Sequence, residues 1–385
     1  MDFGFTPEQK DLRQKVRAFL AQDDVQAILH EIHRRPPREE IFSPELHRML
    51  AEQGWLAIHW PVEYGGGGKT AIEYGIIVEE TLRAGVPHLV WSLTVNIFGN
   101  AVLLLGNEAQ KRTYLPPIAR GDALCNVLYT EPDAGSDLAS LRASAVRAGD
   151  DWILNGTKIF NSIGHLADHG LIVVRTDPDV AKHKGLTLFI IDMHAPGVTV
   201  RPMWTLGDER LNEIALEDVR VPPENVVGAL NQGWPLLNAA MSVERTGLDL
   251  TTLTEKYLNA VIALVKEKEL SADRYVRQKV AELYSELQVA KLLVWRVVSI
   301  QARGEVDDVR SAMSKMAGTE LGKRVVQLGM EIGGLEASLS RWDDDPWADG
   351  LLEAYYREAP GNAIAAGTTE IMLYLIAYRG LRVHR

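Results

Sequence analysis

The hydrophobic period of this chain changes twice, and that change limits the folds open to it. From residue 6 to about 120, apolar residues recur at helical spacing, as in Leu12, Val16, Phe19 and Leu20. Thr6-Pro7-Glu8-Gln9 is a helix start, with Thr6 as N-cap and Pro7 in the first turn, and Ser43-Pro44-Glu45 starts another. Over 121–230 the period shortens. Leu171-Ile172-Val173-Val174 and Leu186 to Ile191 read as buried strands, and Gly149-Asp150-Asp151 as a hairpin turn before Trp152–Leu154. From Pro235 onward long amphipathic helices return, to about residue 334. A loop over Arg341–Gly350 and a last helix from Thr369 to about Gly380 follow. The pattern predicts an α+β, mostly helical protein of three domains. These are an N-terminal helical domain (1–120), a small antiparallel β sandwich or barrel (121–230) and a C-terminal helical bundle (231–385). At roughly 100–200 residues per domain, 385 residues suit two or three such units.

Composition narrows the function. The formal net charge of -11 opposes general binding to nucleic acid or to an anionic membrane surface, but leaves room for a local basic pocket. No run approaches the ~18 apolar residues of a membrane span, and the first residues carry no signal-peptide pattern. A single cysteine, Cys125, permits no intrachain disulfide, which fits a reducing cytoplasm; its apolar neighbours make it a buried structural thiol. His165 and His169 are spaced as metal ligands, but the insert Leu166-Ala167-Asp168 lacks the zinc-helix pattern, so no metal is expected. Neither a G-x-S-x-G elbow, a P-loop nor a strand-borne G-x-G-x-x-G occurs.

Four segments carry candidate chemistry, each with a plain structural alternative. Thr130 to Asp137 (TEPDAGSD) follows an apolar strand. Its small residues and hydroxyls either cap a surface turn or cradle a diphosphate. Asn155 to Ser162 (NGTKIFNS) would by alternation set Phe160 and Ser162 on one face, either a cross-strand pair or a platform for a flat heterocycle. On a helix from about Trp234, Leu237, Met241, Glu244 and Leu248 share one stripe. A carboxylate there is either a paired structural ion or a desolvated general base; Arg245 points some 100° away. Ala365 to Ile371 (AAGTTEI) reads as a loop and a capped helix start. The glycine run Gly65–Gly68 is either a flexible connection or a ligand contact.

Taken in order, these segments resemble the acyl-CoA dehydrogenase family over essentially the whole chain. Gln110 to Gly121 (QKRTYLPPIARG) and Thr130 to Asp137 carry most of the resemblance. Leu154–Phe160, Thr205-Leu206-Gly207, Asn212–Pro222 and Gly367–Ile371 add to it. The resemblance implies a four-helix bundle as the C-terminal domain, bound FAD, an acyl-CoA thioester as substrate and a tetramer. It assigns Thr130 to the flavin's pyrimidine edge, Ser136 to a cofactor phosphate and to the substrate, and Phe160 to the aromatic that packs on the flavin. Ser162 becomes the hydroxyl near flavin N5, and Thr368 and Glu370 the cofactor contacts of the C-terminal loop. The implied reaction removes the α-proton to a carboxylate and the β-hydrogen as hydride to the flavin. It yields the 2,3-enoyl-CoA, with an electron-transfer flavoprotein as the next acceptor.

Two departures matter. The family's usual base immediately precedes the Gly-Thr of the C-terminal loop; here Ala366 stands there. Some members carry the base before the arginine of the first bundle helix instead, which makes Glu244 the expected base and Arg245 a substrate contact. The segment that usually ends in Phe-Gly and serves a neighbouring subunit's FAD reads Lys266 to Tyr275 (KEKELSADRY), with Lys266, Lys268 or Arg274 as substitutes. Gln-x-x-Gly-Gly is altered at Gln327–Gly334. These changes resemble bacterial α2β2 dehydrogenases that act on steroid side-chain thioesters and have lost half their sites. The chain is then either a dehydrogenase acting through Glu244, as a homotetramer or beside a paralogue, or a non-catalytic subunit supporting a paralogue's FAD. A flavin oxidase passing electrons to oxygen is a third reading.

Overall fold

The computed structural model describes residues 4–35, 39, 42–244, 246–344 and 346–383; the side chains at 242–244 and 349 lie outside that description. Helices come first: α1 (Pro7–Leu20), α2 (Asp23–His33), α3 (Pro44–Glu52), α4 (Ala71–Arg83), α5 (Leu89–Trp91), α6 (Asn100–Leu105) and α7 (Glu108–Ala119). A π-helical stretch, Ser92–Gly99, joins α5 to α6 without a break. Thr6 caps α1 as expected. Its hydroxyl accepts from the Gln9 N–H at 3.2 Å, and the Gln9 side chain accepts from the Thr6 N–H at 3.0 Å.

The glycine run is a hydrogen-bonded turn rather than a flexible connection. Gly66 and Gly68 donate to Pro61 and Trp60 carbonyls, and a Cβ on Gly66 would lie 2.1 Å from the Trp60 carbonyl oxygen. Glycine is required there because the chain folds back onto its own backbone.

The middle strands are β1 (Cys125–Leu128), β2 (Ser144–Ala148), β3 (Asp151–Ser162), β4 (His169–Arg175), β5 (Leu186–Asp192), β6 (Val198–Trp204), β7 (Arg210–Val221) and β8 (Val226–Val227). They pair in the order β6-β7-β3-β2-β4-β5-β8, with β1 beside β4. The expectation of an all-antiparallel unit needs correction. β1 runs parallel to β4 in the register Cys125↔His169, and β2 meets β4 in parallel at Ser144↔Arg175. Alternation reports which face is buried, not strand direction, so only the long crossover from β1 could have signalled this. β4 and β5 are apolar through most of their middle residues because both faces are covered. Leu171, Val173, Leu188 and Ile190 join the core of the N-terminal helices, while Ile172, Val174, Phe189 and Ile191 pack with Leu154, Ile214 and Val219.

The remaining helices are α8 (Gly233–Glu244), α9 (Leu248–Glu267), α10 (Arg274–Gln301), α11 (Asp308–Gly333), α12 (Leu351–Ile364) and α13 (Thr369–Leu375). Asp273 and Asp307 cap α10 and α11. Leu258, Val261, Leu287, Leu321, Val325, Leu352 and Tyr355 form the core between α9 and α12. A buried ionic network ties this bundle to the N-terminal helices. Glu79 and Glu80, each 4% exposed, meet Arg13, Arg17 and Arg83, and Arg83 also reaches Glu255 on α9 at 2.7 Å. Two carboxylates are tolerated at such depth because several guanidinium donors surround them.

Candidate active site

The site is built where β1 runs out beside β3. Glu131 and Ala134 exchange backbone hydrogen bonds of 3.1 Å, closing a tight turn around Pro132 and Asp133. The Glu131 carboxylate turns inward. It accepts the N–H groups of Arg142 at 2.6 Å and Ala143 at 2.9 Å, and Lys158 Nζ at 2.8 Å. Lys158 is fully buried and also donates to the Tyr129 carbonyl at 3.1 Å. Burial lowers the Lys158 pKa to about 8 against the pull of Glu131. One residue on, the Ile159 N–H donates to the Thr130 carbonyl at 2.9 Å. Thr130 is thus clamped to β3 on both sides. The sequence reading missed Glu131 and Lys158. Their signal was a lysine at the inward parity of a strand whose preceding inward residues are Trp152 and Leu154.

Phe160 sits on a bulge. Lys158 pairs with Ile214 but Asn161 with Asn212, so one extra residue is accommodated, and Phe160 takes the left-handed conformation with φ 54°. Strict alternation therefore does not hold: Lys158 and Asn161, three apart, are both buried, while Phe160 is 58% exposed and Ser162 half-buried. Left-handed backbone is strained for an aromatic residue, and such strain gathers at functional sites. Its surroundings hold it there. Asn161 accepts from Asn126 Nδ2 at 2.7 Å and donates to the Val127 carbonyl, and Asn212 donates to the Asn161 carbonyl at 2.9 Å. Ser136 is exposed on the turn after Glu131, next to Asp137, whose carboxylate is bound by Lys182 at 2.7 Å. A flat aromatic face, free hydroxyls and a rigid turn at one strand end fit a flavin nucleotide.

Thr368 and Glu370 belong to a different support. Thr368 caps α13 by accepting from the Ile371 N–H at 3.2 Å, Thr369 donates to Glu320 at 2.6 Å, and Glu370 is exposed. The loop before them is anchored by Lys315 of α11. That side chain is 2% exposed and donates to the carbonyls of Ala363 at 3.1 Å and Gly367 at 2.8 Å. Between those two anchors, Ala366 is exposed with φ 54°.

Glu244 is the last residue of α8; its side chain, and Arg245 entirely, lie outside the described residues. The expected stripe is corrected in one respect. Leu237 and Leu248 are both buried, but not on one helix, because α8 ends at Glu244 and α9 begins after Gly247 at φ 72°. Among the possible substitutes in the altered segment, Lys268 is engaged by Glu336 at 2.6 Å.

A helical, a β and a helical domain in this order, with an aromatic on a strained bulge beside a clamped turn, are compatible with a flavin-dependent oxidoreductase. Comparison with known proteins makes the class specific. Residues 6–122, 126–219 and 231–381 match the N-terminal, middle and C-terminal domains of acyl-CoA dehydrogenase. The chain is 31% identical to acyl-CoA dehydrogenase FadE26 of Mycobacterium tuberculosis, over all of this chain and 99% of that one. It is 32% identical to FadE29 of the same organism at the same coverage. Among solved structures, the Tcur3481–Tcur3483 steroid ACAD superposes with a TM-score of 0.90, at 31% identity and full coverage of both chains. The ChsE4–ChsE5 complex from Mycobacterium tuberculosis gives 0.87 at 30% identity, also with full coverage of both chains. The chain belongs to the acyl-CoA dehydrogenase family.

Proposed function

We propose that the protein binds FAD against Thr130, Ser136, Phe160 and Ser162 and oxidises an acyl-CoA thioester to its 2,3-enoyl-CoA, with Glu244 as the base. The observation that carries this reading is the clamp on Thr130 and Phe160, since it presents a hydroxyl and an exposed ring at one strand end in a backbone state that packing alone does not reward. FAD, when bound, would supply the acceptor for the β-hydrogen and its electron pair. Thr130 orients the ring's polar edge, Phe160 covers one face and excludes water, and Ser136 serves the phosphate and the thioester. Glu244 takes the α-proton, and Arg245 is the proposed substrate contact. Thr368 and Glu370 extend the cofactor contacts from α13. Alanine at 366 can hold no proton, so the base must come from another element, and the end of α8 is the position the sequence offers.

Electron-transfer flavoprotein is the proposed acceptor, and the cytoplasm the proposed location. Assembly as a tetramer is supported by the apolar surface of the last helical segment, where Leu373, Tyr374, Tyr378, Leu381 and Val383 are all at least half exposed. No helix among the described residues is long and apolar enough to cross a membrane. The test is anaerobic titration of the yellow protein with acyl-CoA thioesters. The flavin should bleach, and Glu244→Gln should keep FAD but stay coloured. A variant that bleaches normally removes Glu244 from the mechanism.

A second reading, a subunit that supports a paralogue's FAD without catalysing, is favoured by Ala366 and by the two-component names of the structural relatives. It requires that the chain purified alone be colourless and that activity appear only on co-expression with a paralogue.

A further inference from the structure

One turn of α11 touches both segments on which the proposed chemistry depends. Ser314 and Lys315 are adjacent in that helix, and both are buried. Lys315 holds the carbonyls of Ala363 and Gly367, in the loop that leads to Thr368. Ser314, with no exposed surface, donates its hydroxyl to the Thr246 carbonyl at 2.7 Å. Thr246 lies two residues beyond Glu244, a span of at most about 7 Å of extended chain. α8 ends at Glu244 and α9 begins at Leu248, so this bond fixes the short junction between them.

The junction is closely seated. Gly247 has φ 72°, and a Cβ on it would lie 3.0 Å from Ser314 Oγ and 3.1 Å from the Ser314 carbonyl carbon. Its carbonyl accepts the Thr251 N–H at 3.0 Å, and the Thr246 hydroxyl accepts the Leu248 N–H at 3.3 Å. One turn further along α11, a Cβ on Gly318 would lie 2.8 Å from Thr251 Oγ1, and the Gly318 carbonyl accepts from Thr254 Oγ1 at 3.3 Å. α9 and the junction before it therefore rest close on the α11 backbone.

Close approach explains a small residue at 314, but not a hydroxyl. Alanine would admit Gly247 equally well. A helical serine or threonine commonly returns its hydroxyl to a carbonyl of the preceding turn, as Thr252 does to Leu248 at 2.8 Å and Thr319 to Lys315 at 3.1 Å. Ser314 reaches across to another segment instead. Holding the Thr246 carbonyl fixes the end of α8 relative to α11, and Lys315 fixes the loop of Thr368 relative to the same turn. The proposed base and the proposed cofactor contact are thereby referred to one rigid element. A misplacement of about 1 Å between reacting groups can cost about a hundredfold in rate.

We propose that Ser314 is a positioning residue for α-proton removal: through the Thr246 carbonyl it sets where the end of α8 presents Glu244. The inference rests on the dehydrogenase reading above and adds to it the group that aims its base. In that reaction the Glu244 carboxylate takes the α-proton, while the β-hydrogen leaves with its electron pair to oxidised FAD. Ser314→Ala removes one oxygen and keeps the close approach to Gly247, so the variant should fold and stay yellow. It is compared with the wild type and with Glu244→Gln by rapid-mixing measurement of flavin bleaching. The panel holds straight-chain, branched and steroid side-chain acyl-CoA thioesters; the member that bleaches the wild type fastest is then used unlabelled and deuterated at the α or the β carbon. Bleaching of Ser314→Ala should slow by about ten- to a hundredfold, at unchanged FAD content and unchanged half-saturating thioester. Its α-deuterium isotope effect should grow and its β-deuterium effect shrink, because proton removal then limits the rate more. Without thioester, backbone hydrogen exchange should quicken over residues 246–251 and stay unchanged over 363–368. A variant that matches the wild type in rate and isotope effects overturns the proposal. So does one that loses FAD, or needs more thioester, while its isotope effects stay unchanged, since that marks a merely structural role. If Glu244→Gln bleaches normally, or no thioester of the panel bleaches the wild type, the reading beneath falls, and the inference with it.

Discussion

Replacing Glu131 by alanine should separate the clamp's contribution from that of the flavin contacts themselves. The substitution removes three hydrogen bonds at once. Lys158 Nζ keeps only the Tyr129 carbonyl, and the N–H groups of Arg142 and Ala143 lose their acceptor. Removing one partner of a buried ion pair costs about 3–5 kcal/mol, and an orphaned buried N–H about 1–3 kcal/mol. These overlap, because relaxation around Lys158 also lets water reach the amides, so about 4 kcal/mol is the working figure. Against a domain stability of about 5–15 kcal/mol the variant should still fold. Urea unfolding followed by a probe in the middle domain should show the loss as a lower midpoint, and purified protein should retain less FAD. Lys158→Met should cost less, because Glu131 keeps its two backbone donors. Glu131→Ala combined with Lys158→Met should recover part of the loss, since no unpaired charge then remains buried. A Glu131→Ala protein within about 1 kcal/mol of wild type would refute the assignment of the pair as the clamp on Thr130.

Two further outcomes follow from buried charge elsewhere. Burial and the nearby Glu358 raise Glu209 to about 7 from the ordinary carboxylate range. The folded state therefore binds more protons than the unfolded state between pH 4.5 and about 7, and its stability falls as pH rises through that window. Glu209→Gln should flatten the decline in urea midpoint over that range and stabilise the protein above pH 7; an unchanged profile would be contrary. Lys315→Met leaves the Ala363 and Gly367 carbonyls without their buried donor, at about 1–3 kcal/mol each. Hydrogen exchange should speed up over residues 363–370 and stay unchanged in β3 and β4; uniform protection would show that the loop does not depend on Lys315.

Local chemistry was legible in the sequence wherever partners lie within a few residues of each other. Thr6, Ser43 and Thr368 cap their helices as read, because a cap needs only its own first turn. The buried runs of β4 and β5 were equally plain, since double-sided burial removes polar residues from both parities. The ordered family segments brought Thr130, Ser136, Phe160, Ser162 and Glu244 forward as candidates. Tertiary structure alone decided what holds or breaks those patterns. The bulge at Phe160 depends on which β7 residue faces Asn161, and the parallel pairing of β1 on a partner more than forty residues away. Glu131 met Lys158, and His59 met Tyr74, across separations at which no periodicity operates. A single chain records which side chains need partners; only packing in three dimensions selects which partners they receive, and leaves a few polar atoms, as at Tyr74, still without one.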